Sequence, residues 1–275
     1  MRSKITVCFV LLLSSAALWS QSYELGLGGG GTLFHGDVGA VGLNAQGASG
    51  FLPNQPYANV TLRRQFNWHW STRVNFAQGY LEANDLWAKD DFKSNRGIAV
   101  RTEVSELSMM TEFNFWPYTT GSKFNQTFYL FAGLGITAYN PQGEWQEDYV
   151  DLRTLGTEGQ QTDLTNQLYY GTTTLTVPFG LGYRRSIARD WSITTELGWR
   201  RYGSDYMDDT SGDFVNALDL LDRRNAQAAY FSNPGNVAYV PGLARGNANT
   251  RDWSIFAGIT IFYNLSPRDE RCSAF

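Results

Sequence analysis

The chain has 275 residues, with 22 Lys+Arg against 26 Asp+Glu and a formal net charge of −4. No basic run stands out of this acidic balance, which argues against a nucleic-acid partner. Seventeen Phe, 15 Tyr, 9 Trp and 28 Gly sit in a chain with no segment, after its leader, of the roughly 20 apolar residues a membrane helix needs, so a helical membrane protein is excluded.

The first twenty residues read as a signal peptide. Arg2 and Lys4 make a positive start, residues 5–18 form an apolar core too short to span a bilayer, and Leu18-Trp19-Ser20 precedes the expected cleavage. Cys8 lacks the small-residue context of a lipoprotein. Loss of the leader takes the net charge from −4 to −6, because it removes Arg2 and Lys4. It also leaves Cys272 as the one cysteine, so no internal disulfide forms; the thiol is either free on a tail or bonded to another protein.

Period-two alternation predicts eight strands, near 23–34, 57–66, 69–81, 104–115, 126–139, 172–186, 190–203 and 252–264. The first is thinned by Gly28 to Gly31, which points to tight curvature or close backbone approach. The second carries Arg64 on its outward face, beside a tight Asn67-Trp68 turn where snorkelling would relieve the charge. The third presents Trp70, Thr72, Val74, Phe76 and Tyr80. The fifth presents Phe128, Leu130, Ala132, Leu134 and Ile136, and the sixth Leu175, Val177, Phe179, Leu181 and Tyr183. The seventh presents Trp191, Ile193, Thr195, Leu197 and Trp199, and the last Trp253, Ile255, Ala257, Ile259, Ile261 and Tyr263. Aromatic residues at both limits of an apolar face mark the two lipid–water interfaces of an outer-membrane strand.

The connections alternate long and short: 35–56, 67–68, 82–103, 116–125, 140–171, 187–189 and 204–251. Long outside loops and short periplasmic turns have this order, and an even strand count puts both ends of the barrel in the periplasm. Lipid satisfies no unpaired sheet edge, so the sheet must close. The expectation is an all-β, eight-stranded antiparallel outer-membrane barrel over 21–264, with a periplasmic C-terminal tail over 265–275.

The alternation turns Glu24, Glu106, Glu112 and Glu196 inward together with Arg63, Arg73, Arg184 and Arg200. Two readings fit this balanced set: a selective channel or proton path, and a lumen closed by ion pairs. Eight strands leave a lumen that side chains fill, which favours the second.

Candidate chemistry is sparse, and neither a cofactor nor a catalytic site is expected. His35 and Asp37 offer two metal ligands in a loop without a third. His69 and Ser71 share a strand face, as in the His-x-Ser pair of lipid A deacylases, but lie beside the short turn, on the leaflet opposite lipid A. Asp205, Asp208, Asp209, Ser211 and Asp213 lack the ordered spacing of a calcium loop and read as a solvated, tyrosine-anchored loop. Residues 214–221 have helix-like apolar spacing, suited to capping the barrel or gripping a partner.

Several segments together resemble one family. They are Gly30-Gly-Thr-Leu-Phe-His-Gly-Asp37 after a Tyr-x-Leu-Gly-x-Gly strand, Arg201-Tyr-Gly-Ser-Asp-Tyr-Met-Asp-Asp-Thr-Ser211, Arg251-Asp-Trp253 opening the last strand, and the terminal Arg271-Cys-Ser-Ala-Phe275. The chain resembles the PorG-like outer-membrane proteins of the type IX secretion system, with Ser273 where the family tail more usually has Pro. The resemblance implies a non-catalytic outer-membrane part of a protein secretion and gliding motility machine, associated with a periplasmic ring of the lipoprotein PorK and its partner PorN, with Cys272 as a candidate tether. A small passive channel and a surface adhesin are the alternative functions.

Overall fold

The computed structural model describes residues 22–40, 52–120 and 126–266. The expected signal peptide, Cys272 and nearly all of the expected tail lie outside them. The principal strands are β1 (Ser22–His35), β2 (Gln55–Gln65), β3 (Trp70–Asn84), β4 (Ala99–Asn114), β5 (Gln126–Trp145), β7 (Thr173–Ser186), β8 (Trp191–Tyr202) and β9 (Trp253–Asn264), with a short β6 (Asp148–Asp151). The order β4-β3-β2-β1-β9-β8-β7-β5 is closed by antiparallel pairing of β4 with β5, giving an eight-stranded barrel. Among the described residues β6 pairs only with the end of β5.

Alternation builds the wall as the sequence predicts. Leu107, Leu134, Leu175 and Ile259 are exposed on the outside, while Glu112, Thr137, Arg184 and Thr260 are buried inside. Rings crowd the short-turn rim: Trp70 on Phe113 at 4.9 Å, Phe128 on Tyr183 at 5.1 Å, and Trp191 on Tyr263 at 4.9 Å between centroids. Trp199 and Trp253 flank Phe179 toward the other rim. Such girdles bracket the hydrocarbon band of an outer-membrane barrel. No helix among the described residues is long and apolar enough to cross a membrane. Arg64 lies over the rings of Tyr23 and Phe66, at 5.7 and 5.3 Å, so its charge is carried along aromatic faces at the short-turn rim. In the glycine-rich β1, a Cβ at Gly28 would stand 2.6 Å from the Ile259 carbonyl oxygen and 2.8 Å from Asn59 Oδ1. This is the close approach expected from the sequence.

Three strands run further than the apolar pattern indicated. β3 and β5 continue to Asn84 and Trp145, and β4 begins at Ala99. Along these extensions the wall changes sidedness. Leu81, Ala83, Val100, Val104 and Tyr139 are buried inward, and Glu82, Arg101, Asn140 and Gln142 take the outward positions. Above the bilayer the outside meets water, so the apolar face turns to the interior.

That interior continues into a cap made by the long connections. Its short helices are α1 (Asp91–Arg96), α2 (Leu152–Leu155), α3 (Ala217–Arg223) and α4 (Ala226–Ser232). Asp90, Asn216 and Asn225 cap α1, α3 and α4 by accepting hydrogen bonds from backbone N–H groups of the first turn. Phe34, Leu81, Val100, Tyr139, Leu152, Met207, Leu220 and Phe231 belong to one buried cluster over the long-loop mouth of the barrel. The helix expected over 214–221 is realised as α3, with Leu220 buried and Leu218 and Leu221 exposed.

Candidate functional site

The barrel interior brings the eight predicted charges into ion pairs. Glu112, on β4, is the hub: Arg63 Nε lies 3.0 Å from its Oε2, Arg73 Nη1 3.1 Å from its Oε1, and Arg184 also pairs with it. Ser71 Oγ donates to Glu112 Oε2 at 2.6 Å. Arg63 reaches on to Glu24 at 2.9 Å, and Arg73 Nη2 donates to Glu196 Oε2 at 3.0 Å. Three carboxylates thus face three guanidiniums in one connected network. Nearer the cap, Arg200 and Glu106 pair separately at 3.5 Å.

Each of these arginines also lies over a lumenal ring. Arg63 is 3.7 Å from the centroid of Phe262, Arg73 4.7 Å from Phe131, Arg184 4.6 Å from Tyr129, and Arg200 3.9 Å from Phe256. The rings replace water beside the guanidiniums, which are weakly hydrated and stack readily on aromatic faces. Alternation had turned these rings inward, but nothing in the spacing paired each with an arginine. Between the two charged layers, Asn59 and Thr61 donate to Asn75 Oδ1 at 3.1 and 2.7 Å.

Described residues reach over the interior at both ends. At the short-turn end Tyr118 and Thr120, which follow β4, lie inward: Tyr118 is fully buried, its carbonyl accepts from Gln65 Nε2 at 2.5 Å, and Thr120 bonds Glu24. At the other end two buried arginines staple the cap. Arg96 donates to Asp85 at 2.7 and 2.9 Å and to the Asp37 carbonyl at 2.8 Å. Arg245 donates to Glu158 at 3.1 Å, to the Asp209 carbonyl at 2.6 Å and to the Phe231 carbonyl at 3.2 Å.

The 205–213 segment is not the solvated loop expected from its composition. Asp205, Asp208 and Asp209 are at most 4% exposed. Asp208 accepts from the Val38 amide at 2.9 Å, Asp252 from the Met207 amide at 2.9 Å, and Asp209 from Thr157 and Tyr170 at 2.5 Å each. The Asp208 and Asp252 carboxylates flank Gly36, where a Cβ would stand 2.6 and 2.5 Å from them. Burial pushes both carboxyls up; the charge of Asp37 adds to it at each, and that of Asp208 adds to it at Asp252. Burial also raises Asp205 and Asp209 to about 6, although Arg245 opposes the rise at Asp209.

The remaining candidates are dispersed. Asp37 Oδ2 accepts from the Asn247 amide at 2.5 Å, while His35 stays exposed beside the lipid-facing wall. His69 Nδ1 meets the Asn114 carbonyl at 2.8 Å, whereas Ser71 turns into the lumen to Glu112, so the two engage different partners. Among the described residues no three His, Cys, Asp or Glu side chains converge as metal ligands.

Two solved structures align with most of the chain. The N-terminal β-barrel domain of Pseudomonas aeruginosa OprF is 9% identical with a TM-score of 0.39, and the alignment covers 89% of this chain and 97% of that one. Ail, the attachment invasion locus protein of Yersinia pestis, is 10% identical with a TM-score of 0.39, over 89% of this chain and 100% of that one. No curated protein matches the sequence. A family described as a domain of unknown function, DUF6089, matches residues 3–220, which is most of the chain, and the protein belongs to that family.

Proposed function

We propose that this barrel is a non-conducting, non-catalytic anchor of the type IX protein secretion and gliding machinery, holding or organising the periplasmic ring at the outer membrane. The observation that carries the reading is the closed interior. Glu112 and the three arginines around it are at most 4% exposed, beneath a cap with its own core. A wall filled in this way has no bore to offer and acts through its surfaces and ends. β9 delivers Asn264 to the short-turn end, so the segment carrying Cys272 starts on the side where a periplasmic PorK-type lipoprotein and its PorN-like partner would meet it. The motifs at 30–37, 201–211 and 271–275 support the choice of machine.

Affinity purification from membranes under non-reducing conditions tests the reading. The ring lipoprotein should co-purify, and a high-mass band should collapse on reduction or in Cys272→Ser. If the band persists in Cys272→Ser and secretion is intact, the covalent tether is lost; if no ring protein co-purifies at all, the anchor reading fails. Steady conductance of the pure protein in planar bilayers would favour the passive channel instead. The adhesin reading draws support from the folded cap, whose Leu168, Leu218 and Val240 are more than 70% exposed. Cap deletions that abolish attachment but spare secretion would favour it.

A further inference from the structure

We propose that a notch in the long-loop rim of the barrel wall binds the saccharide headgroup of an outer-leaflet glycolipid. Pairing of β4 with β5 stops at Arg101 opposite Gln142, and β5 runs on with β6 as its partner. At this point lies a cavity of about 370 Å³, lined by both strands and by α4. Small-molecule sites begin at about 300 Å³.

The lining has the chemistry of sugar recognition. Glu82, Gln142 and Glu144 present planar groups that accept hydrogen bonds from hydroxyls, and Asn84 and Gln142 add donors. Tyr149 and Tyr230, 48% and 45% exposed, supply aromatic plates for the C–H face of a sugar ring. The Arg101 guanidinium lies 3.9 Å from the Tyr80 centroid and 4.8 Å from that of Tyr149, a held, planar donor. Its Nε is buried without a hydrogen-bond partner, as is the Nε of Arg245, which lines the same cavity and is 2% exposed. Buried donors of this kind are ordinarily satisfied, and a polyhydroxylated ligand would satisfy them.

The height of the notch selects the source of the sugar. The large exposed outward apolar residues end at Phe76, Leu107 and Ile136 on β3, β4 and β5, with the half-buried Tyr80 outward above Phe76. Glu82, Arg101 and Gln142 lie six positions further along the same strands. At about 3.3 Å per residue and a tilt of about 40°, that is about 15 Å above Phe76, Leu107 and Ile136. The notch therefore stands at the height of the layer where outer-leaflet glycolipids carry their sugars. A protein partner would need a larger face, on the order of 800 Å² with an apolar centre.

The test uses the full chain in nanodiscs with lipopolysaccharide purified from the source bacterium, lipid A stripped of its sugars, the released polysaccharide, and an array of foreign glycans. Binding of the lipopolysaccharide is expected, with the released polysaccharide competing and lipid A alone binding at least about ten-fold more weakly. Tyr149→Ala and Glu144→Gln, both at exposed positions, should each weaken it about ten-fold, with Leu168→Ala as an unaffected control. Equal binding by lipid A and intact lipopolysaccharide, equal binding by the notch variants and the parent, absence of binding, or binding confined to foreign glycans would each overturn the proposal.

Discussion

Arg63 Nε stands 3.0 Å from Glu112 Oε2, and neither side chain has any exposed surface. Glu112 also serves Arg73 and Arg184; without it Arg63 and Arg73 keep Glu24 and Glu196, but Arg184 loses its paired carboxylate while staying buried. Breaking a buried pair by deleting one partner costs about 3–5 kcal/mol, because the remaining charge stays buried. Glu112→Ala should lower the unfolding free energy, read from urea titration of the folded, heat-modifiable band, by that amount. Glu112→Gln, which keeps the shape and the acceptor for Ser71, should lie between Ala and the parent. A variant as stable as the parent would show that the network is solvated.

The outward face makes the opposite demand. Leu134 is 70% exposed at the middle of the apolar run of β5, and an arginine there should cost about 2–4 kcal/mol in a lipid-folding titration. Arg64 already has Tyr23 and Phe66 beneath it at the short-turn rim. Arg64→Leu should therefore shift stability by no more than about 0.5 kcal/mol. Equal effects at the two sites would contradict the assignment of the membrane band.

Alternation and solvent together explain how far the sequence could be read. Between the girdles, lipid forces apolar residues outward, so positions such as Leu130, Leu181 and Ile261 declare the strand and its direction, and the inward charges follow by parity. Above Gln78 and Ser105 the outside is water. There Leu81, Val100 and Tyr139 point inward, and an apolar-out pattern no longer marks the strand, which is why β5 outruns its expected end at 139. The cap was least legible. Asp205, Asp208 and Asp209 look solvated by composition. Asp205 accepts from nearby Ser211, but the partners of Asp208 and Asp209, namely Val38, Thr157, Tyr170 and Arg245, come from remote parts of the chain, and no local spacing announces those contacts.

The same close packing limits substitution in β1. A side chain at Gly28 would press on the Ile259 carbonyl, a backbone atom that cannot rotate away. Gly28→Val should cost at least about 1–3 kcal/mol of overpacking, read as slower or incomplete insertion into liposomes. Gly242, where a Cβ would meet nothing within 4 Å although its φ is +85°, gives a comparison in which backbone conformation alone is changed. Gly242→Asn, a residue tolerant of positive φ, should insert like the parent. Normal insertion of Gly28→Val would show that the β1–β9 contact yields.

The cap should loosen as pH rises. Asp205, Asp208, Asp209 and Asp252 all hold their protons more tightly when folded than the ordinary carboxyl value of 3.8 would allow. Near neutral pH the folded cap therefore binds more protons than the unfolded chain, and linkage makes its stability fall with increasing pH. The contribution is complete below about pH 4. It is lost from there upward through about 6 for Asp205 and Asp209, and at higher pH for the Asp208–Asp252 pair, whose second ionisation must place two negative charges around Gly36. Hydrogen exchange of peptides spanning 203–215, corrected for the intrinsic pH dependence, should show less protection at pH 8.5 than at pH 5, while barrel peptides stay unchanged. Asp208→Asn keeps an acceptor for the Val38 amide but removes the charge, so it should flatten the dependence and protect the cap at pH 8.5. An unaltered slope in that variant would move the titration away from the pair.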